Sequence, residues 1–440
     1  MEPSGHPERR HSSSARQPAC RRRRTMGALA ATAALVPALL ATSACGGPAD
    51  AAADADHQIT LMTWAPADTG AADRPGMTAL AEAIGRELNA KGGLAGHQVT
   101  ILTCNEHNTA DGATACARQA VTAHAAAVVG SYSQFGSNFV PALEAAGIPF
   151  IGGYGLSTPE FSSPLSYPVN GGTPALLAGS GLQLVEAGCK TVTLIRPDTR
   201  AGDTLLGYLA GALKPAKVKL IDLKAPEQSS DYTPIAEKAI GDDRQGNCIT
   251  NALGPEPTSN LLDPYRRLGP RNTLLASVIG SFQQSVVDST GGDSGPLGSA
   301  YATGWYPPES SHVWDALRAT VHGYGDGAVP IDVSDPGVQT TWVAYEVVQQ
   351  TAARIGAGKP ITAKALRNVL DSGESIDTAG ATPPLGWGMT SMLASADSPR
   401  LVNTSVTYQQ VRGGRLTEQQ QGFVDVRWVL AGGRPPAQGN

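Results

Sequence analysis

Two short stretches hold the residue types best suited to gripping a small molecule. Ser131-Tyr132-Ser133-Gln134-Phe135-Gly136-Ser137 follows the apolar run Ala127-Val128-Val129-Gly130, and Gly152-Gly153-Tyr154-Gly155-Leu156-Ser157 follows Ile148-Pro149-Phe150-Ile151. Hydroxyls, a carboxamide and glycine-flanked N–H groups suit a polar head, and Tyr132, Phe135 and Tyr154 suit an apolar body. Loops that face only water rarely carry so many large aromatics. Trp64, after the first apolar run, and Trp305-Tyr306, late in the chain, extend this aromatic lining.

Other chemistry is harder to assemble. Gly292-Asp293-Ser294-Gly295 and Thr122-Ala123-His124-Ala125 imitate the serine and histidine signatures of a secreted serine hydrolase. That chemistry needs a buried acid and β-barrel loops, whereas His124 closes a helical run and 291–298 reads as a Gly/Ser/Pro loop. No Gly-x-Ser-x-Gly elbow, His-Glu-x-x-His pair or phosphate loop occurs, and the eight histidines show no ligand spacing. The chain is therefore read as a non-enzyme without metal or cofactor.

The elements around the two loops alternate. Ile59–Thr63, Val99–Leu102, Ala127–Val129 and Ile148–Ile151 read as strands, with helical faces at Met77, Leu80, Ile84 and Leu88 and at Ala113, Cys116, Ala117, Ala120 and Val121 between them. A second series follows, with strands at 191–195, 218–223, 248–251, 274–277 and 300–304 and helices at 176–187, 204–213, 234–240 and 259–268. The third section is more helical, with Val338, Trp342, Tyr345 and Val348 on one core-facing stripe. Ser405–Gln409 and Val424–Trp428 read as a closing pair of strands. The fold class is α/β, with two doubly wound, mostly parallel sheets and a cleft between two lobes, because ligands settle beyond the carboxyl ends of such strands.

Residues 1–45 stand apart. Arg21 to Arg24, the apolar Ala28–Leu40 and the small residues Thr42-Ser43-Ala44 before Cys45 form a signal peptide, and their ending resembles the lipobox of bacterial lipoproteins. Cys45 would then be lipidated and would tether the chain to the outer face of the cell membrane through a flexible 46–57. Export by the general or the twin-arginine route stays open. Loss of residues 1–44 removes seven Arg and two Glu and moves the formal charge from −5 to −10, which argues against nucleic acid as a partner. Four cysteines then remain to pair, and their order suggests Cys104 with Cys116 and Cys189 with Cys248.

In order along nearly all of the exported portion, the chain resembles the type I solute-binding proteins of bacterial ABC importers, the branched-chain amino acid and amide group in particular. The resemblance rests on Glu87-Leu88-Asn89-Ala90-Lys91-Gly92-Gly93-Leu94-Ala95-Gly96-His97, on Ala127–Gly130, on Ala146-Gly147-Ile148-Pro149 with Thr158-Pro159-Glu160, on Asp198–Gly202 and on Trp342–Val347. Cys104 and Cys116 look like the cysteine pair of actinobacterial members. The resemblance implies three hinge crossings, one lobe from 57–168 and 305–400, and a second from 169–304 and 401–432, with 433–440 as a tail. It also implies a monomer that closes on its ligand and delivers it to permease subunits, or, as a rival role, a tethered sensor that signals to a partner.

By the same resemblance, Ser157, beside Leu156, would hold a ligand carboxylate together with Ser131, Ser133 or Ser137. The acidic residue that grips an ammonium in amino acid binders aligns near Ile279, and the aromatic loop positions near Ala201 and Leu253-Gly254. Glu256 could stand in for the missing acid and Arg200 could offer a bidentate donor, although both are ordinary surface charges by default. The expected ligand is therefore something other than leucine, isoleucine or valine.

Overall fold

The computed structural model describes residues 58–436 apart from 70, 71, 227, 228 and 230. The signal peptide, Cys45, the tether and residues 437–440 lie outside the described residues.

The first sheet grows from β1 (Gln58–Ala65), whose residues are buried on both faces from Leu61 onward. That is the signature of a strand covered by helices on either side. It pairs in parallel with β2 (Gln98–Asn105) and β3 (Ala127–Val129), and β4 (Phe150–Ile151) and β5 (Ser166–Tyr167) complete the order β2-β1-β3-β4-β5. Between these strands run α1 (Pro75–Ala90), α2 (Ala110–Thr122), α3 (Gly136–Ala146) and the short α4 (Thr158–Ser162). Proline at the start of α1 fixes the first turn without losing a useful donor. The helix stops where Gly92 and Gly93 take positive φ, with the Gly93 N–H donating to the Leu88 carbonyl.

The second sheet begins after α5 (Gly172–Glu186). Its parallel strands are β6 (Thr191–Pro197), β7 (Lys219–Ala225), β8 (Asn247–Asn251), β9 (Leu274–Val278) and β10 (Tyr301–Gly304). They are linked by α6 (Arg200–Leu213), α7 (Thr233–Ile240), α8 (Pro255–Leu268) and α9 (Gln284–Ser289). β11 (Ser405–Arg412) and β12 (Arg415–Glu418) add antiparallel strands beside β10, giving the order β12-β11-β10-β9-β8-β6-β7. The closing pair differs from its expected form. β13 spans only Val424–Asp425 against β11, and Arg427–Leu430 turns into a helix, α13, that packs on α5 and α6. A two-residue pairing leaves the apolar 426–430 free to follow a helical course.

From β10 the chain returns to the first sheet through α10 (Asp315–Tyr324), α11 (Pro336–Ile355) and α12 (Ala363–Asp371). α11 lies across the strand ends so closely that Gly130 and Gly152, both at positive φ, leave no room for a Cβ beside Thr341 and Ala344. Its Tyr345 is fully buried and shares a 2.9 Å hydrogen bond with Thr63, as suits a core-facing stripe.

The chain passes between the sheets at 168–171, 305–307 and 401–404, and the three passages are tied to one another. Asn170 donates to the Tyr306 hydroxyl (3.2 Å) and to Thr340 (3.3 Å), Trp305 Nε1 donates to the Gly172 carbonyl (2.9 Å), and Asn403 donates to the Val169 carbonyl (2.9 Å). Disulfides link Cys104 to Cys116, joining β2 to α2, and Cys189 to Cys248, joining the end of α5 to β8.

Candidate ligand-binding cleft

In the first sheet the strand order reverses between β1 and β3, so the loops leaving those two strands diverge and open a crevice. The β1 loop supplies Ala72 and Arg74, the β3 loop Tyr132 and Gln134, and the loop after β4 Tyr154 and Leu156. The second sheet reverses between β6 and β8, and its facing loops supply Pro197, Thr199 and Gly202, then Ala252, Leu253 and Gly254, then Val278 to Ser281 after β9. Together with Thr173, Leu176, Leu205 and Trp305 these residues enclose a cleft of about 150 Å³. Family positions anticipated near Ile279 and Leu253-Gly254 fall on this lining.

One file of aromatic rings runs along it. Tyr132 meets Tyr154 edge-on at 4.9 Å, Tyr154 meets Trp305 at 5.0 Å, and Trp305 leads on to Tyr306 at 6.2 Å. The Arg74 guanidinium stands 5.6 Å from the Tyr154 ring centre, a cation–π arrangement. Arg74 is 7% exposed, donates to Asp335 at 2.6 Å and to the Gly280 carbonyl at 3.3 Å, and so bridges the two sheets. Burial pulls the guanidinium pKa down, but Asp335, Tyr154 and Tyr132 more than offset it and hold the charge firmly in place. The same burial pushes the Tyr154 phenol up to about 12 and raises Tyr132 as well. Both rings therefore act as neutral hydroxyl donors or acceptors.

Of the residues singled out from sequence, Tyr132, Gln134, Tyr154, Leu156 and Trp305 come together on the cleft. Others do not. Trp64 belongs to β1, which runs to Ala65 rather than ending at Thr63. Its ring is therefore still held against the sheet, fully buried between Phe139 (5.3 Å) and Phe150 (5.9 Å). Phe135 packs on that same cluster. Ser131 accepts the Trp64 N–H at 3.0 Å, and Ser133 donates to Glu106 at 2.9 Å. Ser137 is exposed on the first turn of α3, and Glu256 is exposed on the first turn of α8. Tyr306 is buried in the hinge rather than on the cleft wall. The backbone of Arg200 opens α6, while its side chain lies outside the described residues.

Ser157 has the most instructive placement. It caps α4, and its N–H (2.9 Å) and hydroxyl (2.9 Å) both donate to Glu160, which also accepts the N–H groups of Leu156 (3.0 Å) and Gly155 (3.0 Å). Glu160 is 1% exposed; burial raises its pKa, against which these donors pull. The Ser157-Thr158-Pro159-Glu160 spacing is that of a capping box, a signal present in the sequence. Arg74 and Asp335, which sequence reasoning passed over, have no comparable signal, since tertiary packing alone brings them together.

The serine-histidine imitation dissolves. Gly292–Ser294 is a 3-10 turn between α9 and β10, and His124 lies between α2 and β3 of the other sheet. Among the described residues no group of His, Cys, Asp and Glu is placed to hold a metal ion, and no helix is long and apolar enough to cross a membrane.

Residues 64–398 match one protein family, described as periplasmic binding protein, and the chain belongs to it. Solved structures similar to it are solute-binding proteins of ABC transporters with the same two-lobed type I fold. A fatty acid ABC transporter substrate-binding protein from Thermomonospora curvata is 13% identical, with 84% of this chain and 94% of that one covered and a TM-score of 0.66. A leucine-binding protein from Thermotoga maritima MSB8 is 12% identical, covering 83% and 99%, with a TM-score of 0.65. A solute-binding protein from R. palustris in complex with benzoate is 14% identical, covering 84% and 97%, with a TM-score of 0.65. No curated protein matches the chain. Family and neighbours alike are binding proteins rather than enzymes, and the family is extracytoplasmic.

Proposed function

We propose that this chain is the substrate-binding component of an ABC importer, capturing a small solute between its lobes and presenting the closed form to a permease. The observation that carries this reading is the cleft itself, built from the loops at both strand-order reversals and lined by Tyr132, Gln134, Tyr154, Leu156 and Trp305. The similar structures are named for leucine, a fatty acid and benzoate, which supports an amino acid or organic acid as ligand, with an amide added by the family resemblance. Leucine, isoleucine and valine fit least well, since no acidic side chain lines the cleft among the described residues. Lobes bounded at 57–168 with 305–400 and at 169–304 with 401–432 would close about the crossings, as a monomer anchored through lipid on Cys45.

Thermal unfolding against a library of amino acids, amides, sugars and organic acids tests the reading. A ligand that binds only the folded state adds about 2.7 kcal/mol at a hundred times its dissociation constant. A midpoint raised by one chemical class supports capture. A midpoint unmoved by every class counts against it.

A further inference from the structure

We propose that Arg74 is the anchor of the cleft and that its ligand is a monoanionic acid with a compact apolar body, an inference resting on the binding-protein reading and narrowing it to one substrate class. The first ground is that the loop donors expected to receive a carboxylate are already engaged. Gly155, Leu156 and Ser157 turn their N–H groups, and Ser157 its hydroxyl, onto the buried Glu160 carboxyl. The Ser131 hydroxyl accepts the Trp64 N–H and donates to the Val129 carbonyl, and the Ser133 hydroxyl donates to Glu106. A second carboxylate placed at the Glu160 nest would meet a like group and no remaining donor of that set.

Arg74 supplies what those loops do not. A guanidinium has five N–H donors; two hydrogen bonds go to Asp335 and Gly280 at 2.6 and 3.3 Å, the Tyr154 hydroxyl is a further partner, and Nε is buried without a partner among the described residues. Asp335 is shared between two positive partners, because its other oxygen accepts the Gly337 (2.6 Å) and Val338 (3.1 Å) N–H groups at the start of the twenty-residue α11, whose positive end lies beside the pair. Among the described residues lining the cleft, Arg74 is the only one with a charged side chain. An ammonium group would meet no acidic side chain among the described residues lining the cleft, and would face the guanidinium as well.

The walls define the rest of the ligand. Tyr154 stands beside the guanidinium, Trp305 lies edge-on to Tyr154, and Leu176, Leu205, Val278 and Ile279 add apolar wall. A void of about 150 Å³ is of the size that admits a single benzene ring. An aromatic acid, or a linear acid of about six carbons, meets both the charge and the volume.

Calorimetric titration with sodium benzoate, benzamide, benzylamine and L-phenylalanine tests this on the wild-type protein and on an R74Q/D335N variant. The double change removes the cation and its partner together, and Asn remains a good helix cap, so the fold is kept; the unfolding midpoint verifies it. Benzoate should bind at least about 10-fold tighter than benzamide, with benzylamine and phenylalanine weaker still. R74Q/D335N should lose about 10- to 100-fold in benzoate affinity and keep benzamide within about 3-fold. Benzamide equal to benzoate, or benzoate undiminished in the variant, overturns the assignment. Silence of all four probes also overturns it. If the wider library still raises the midpoint, the binding-protein reading survives; if nothing does, both fall together.

Discussion

Replacing Glu106 with Gln should make the protein more stable at pH 8 than at pH 5 relative to wild type. Glu106 follows β2, is fully buried, accepts the Ser133 hydroxyl at 2.9 Å through one oxygen and has no hydrogen-bond partner for the other among the described residues. Burial outweighs the hydrogen bonds from Ser133 and the Asn108 N–H and raises its pKa from 4.5 to about 7. Between these two values the folded state keeps a proton that the unfolded state has released, so stability falls as pH rises through the window and levels off above 7. The full loss is about 3 kcal/mol, taking about 1.4 kcal/mol for each tenfold step in proton affinity. Glutamine cannot ionise and escapes that loss. The amide it brings to the unpartnered oxygen's place carries a penalty of about 1–3 kcal/mol, but one that is the same at every pH. Urea unfolding of both proteins at pH 5, 6, 7 and 8 isolates the effect, because Glu160, Glu186 and Glu346 titrate alike in each. The variant-minus-wild-type difference should climb by about 2–3 kcal/mol from pH 5 to pH 8. A flat difference, or one that falls, would refute the reasoning.

Three further outcomes can be checked by equilibrium unfolding. Removing the Cys189–Cys248 bridge, with a sequence separation of 59, should cost about 4 kcal/mol, against about 3 for Cys104–Cys116 with a separation of 12; the reverse order would contradict the loop-entropy account. Gly152→Ala should destabilise by about 1–3 kcal/mol because φ is +68° and the new methyl would overlap Ala344, whereas Gly207→Ala, on an open face of α6, should stabilise by up to about 1 kcal/mol. Ser157→Ala should lower stability by about 1 kcal/mol through loss of the α4 cap, read from the urea midpoint at neutral pH; no change would mean the box is dispensable.

Much of the architecture is legible without coordinates because buried parallel strands and amphipathic helices have different periods. β6, β8 and β9 begin within a residue of where their apolar runs begin, and α11 shows the stripe of Val338, Trp342, Tyr345 and Val348. The cleft is only half legible. Tyr132, Tyr154 and Trp305 announce themselves by size and by position beyond strand ends. Trp64 has the same look and faces the core, because where a strand ends decides which side a residue takes, and β1 runs two residues past Thr63 to Ala65. Ser157 resembles a ligand donor in sequence, yet its partner is three residues away in its own helix cap. Arg74 meets Asp335 across a separation of 261 residues, a distance that no local pattern encodes.

Trp305 also makes the protein its own optical gauge. Of the six tryptophans, Trp64, Trp305, Trp314 and Trp387 are each no more than 1% exposed, yet Trp305 alone among the described tryptophans lines the cleft. Its indole N–H is held at 2.9 Å by a carbonyl at the first passage between the sheets, and its ring lies against Tyr154. On the binding reading proposed above, a ligand in the cleft would alter the surroundings of that indole, so the emission change should come from Trp305 and vanish in a Trp305→Phe variant.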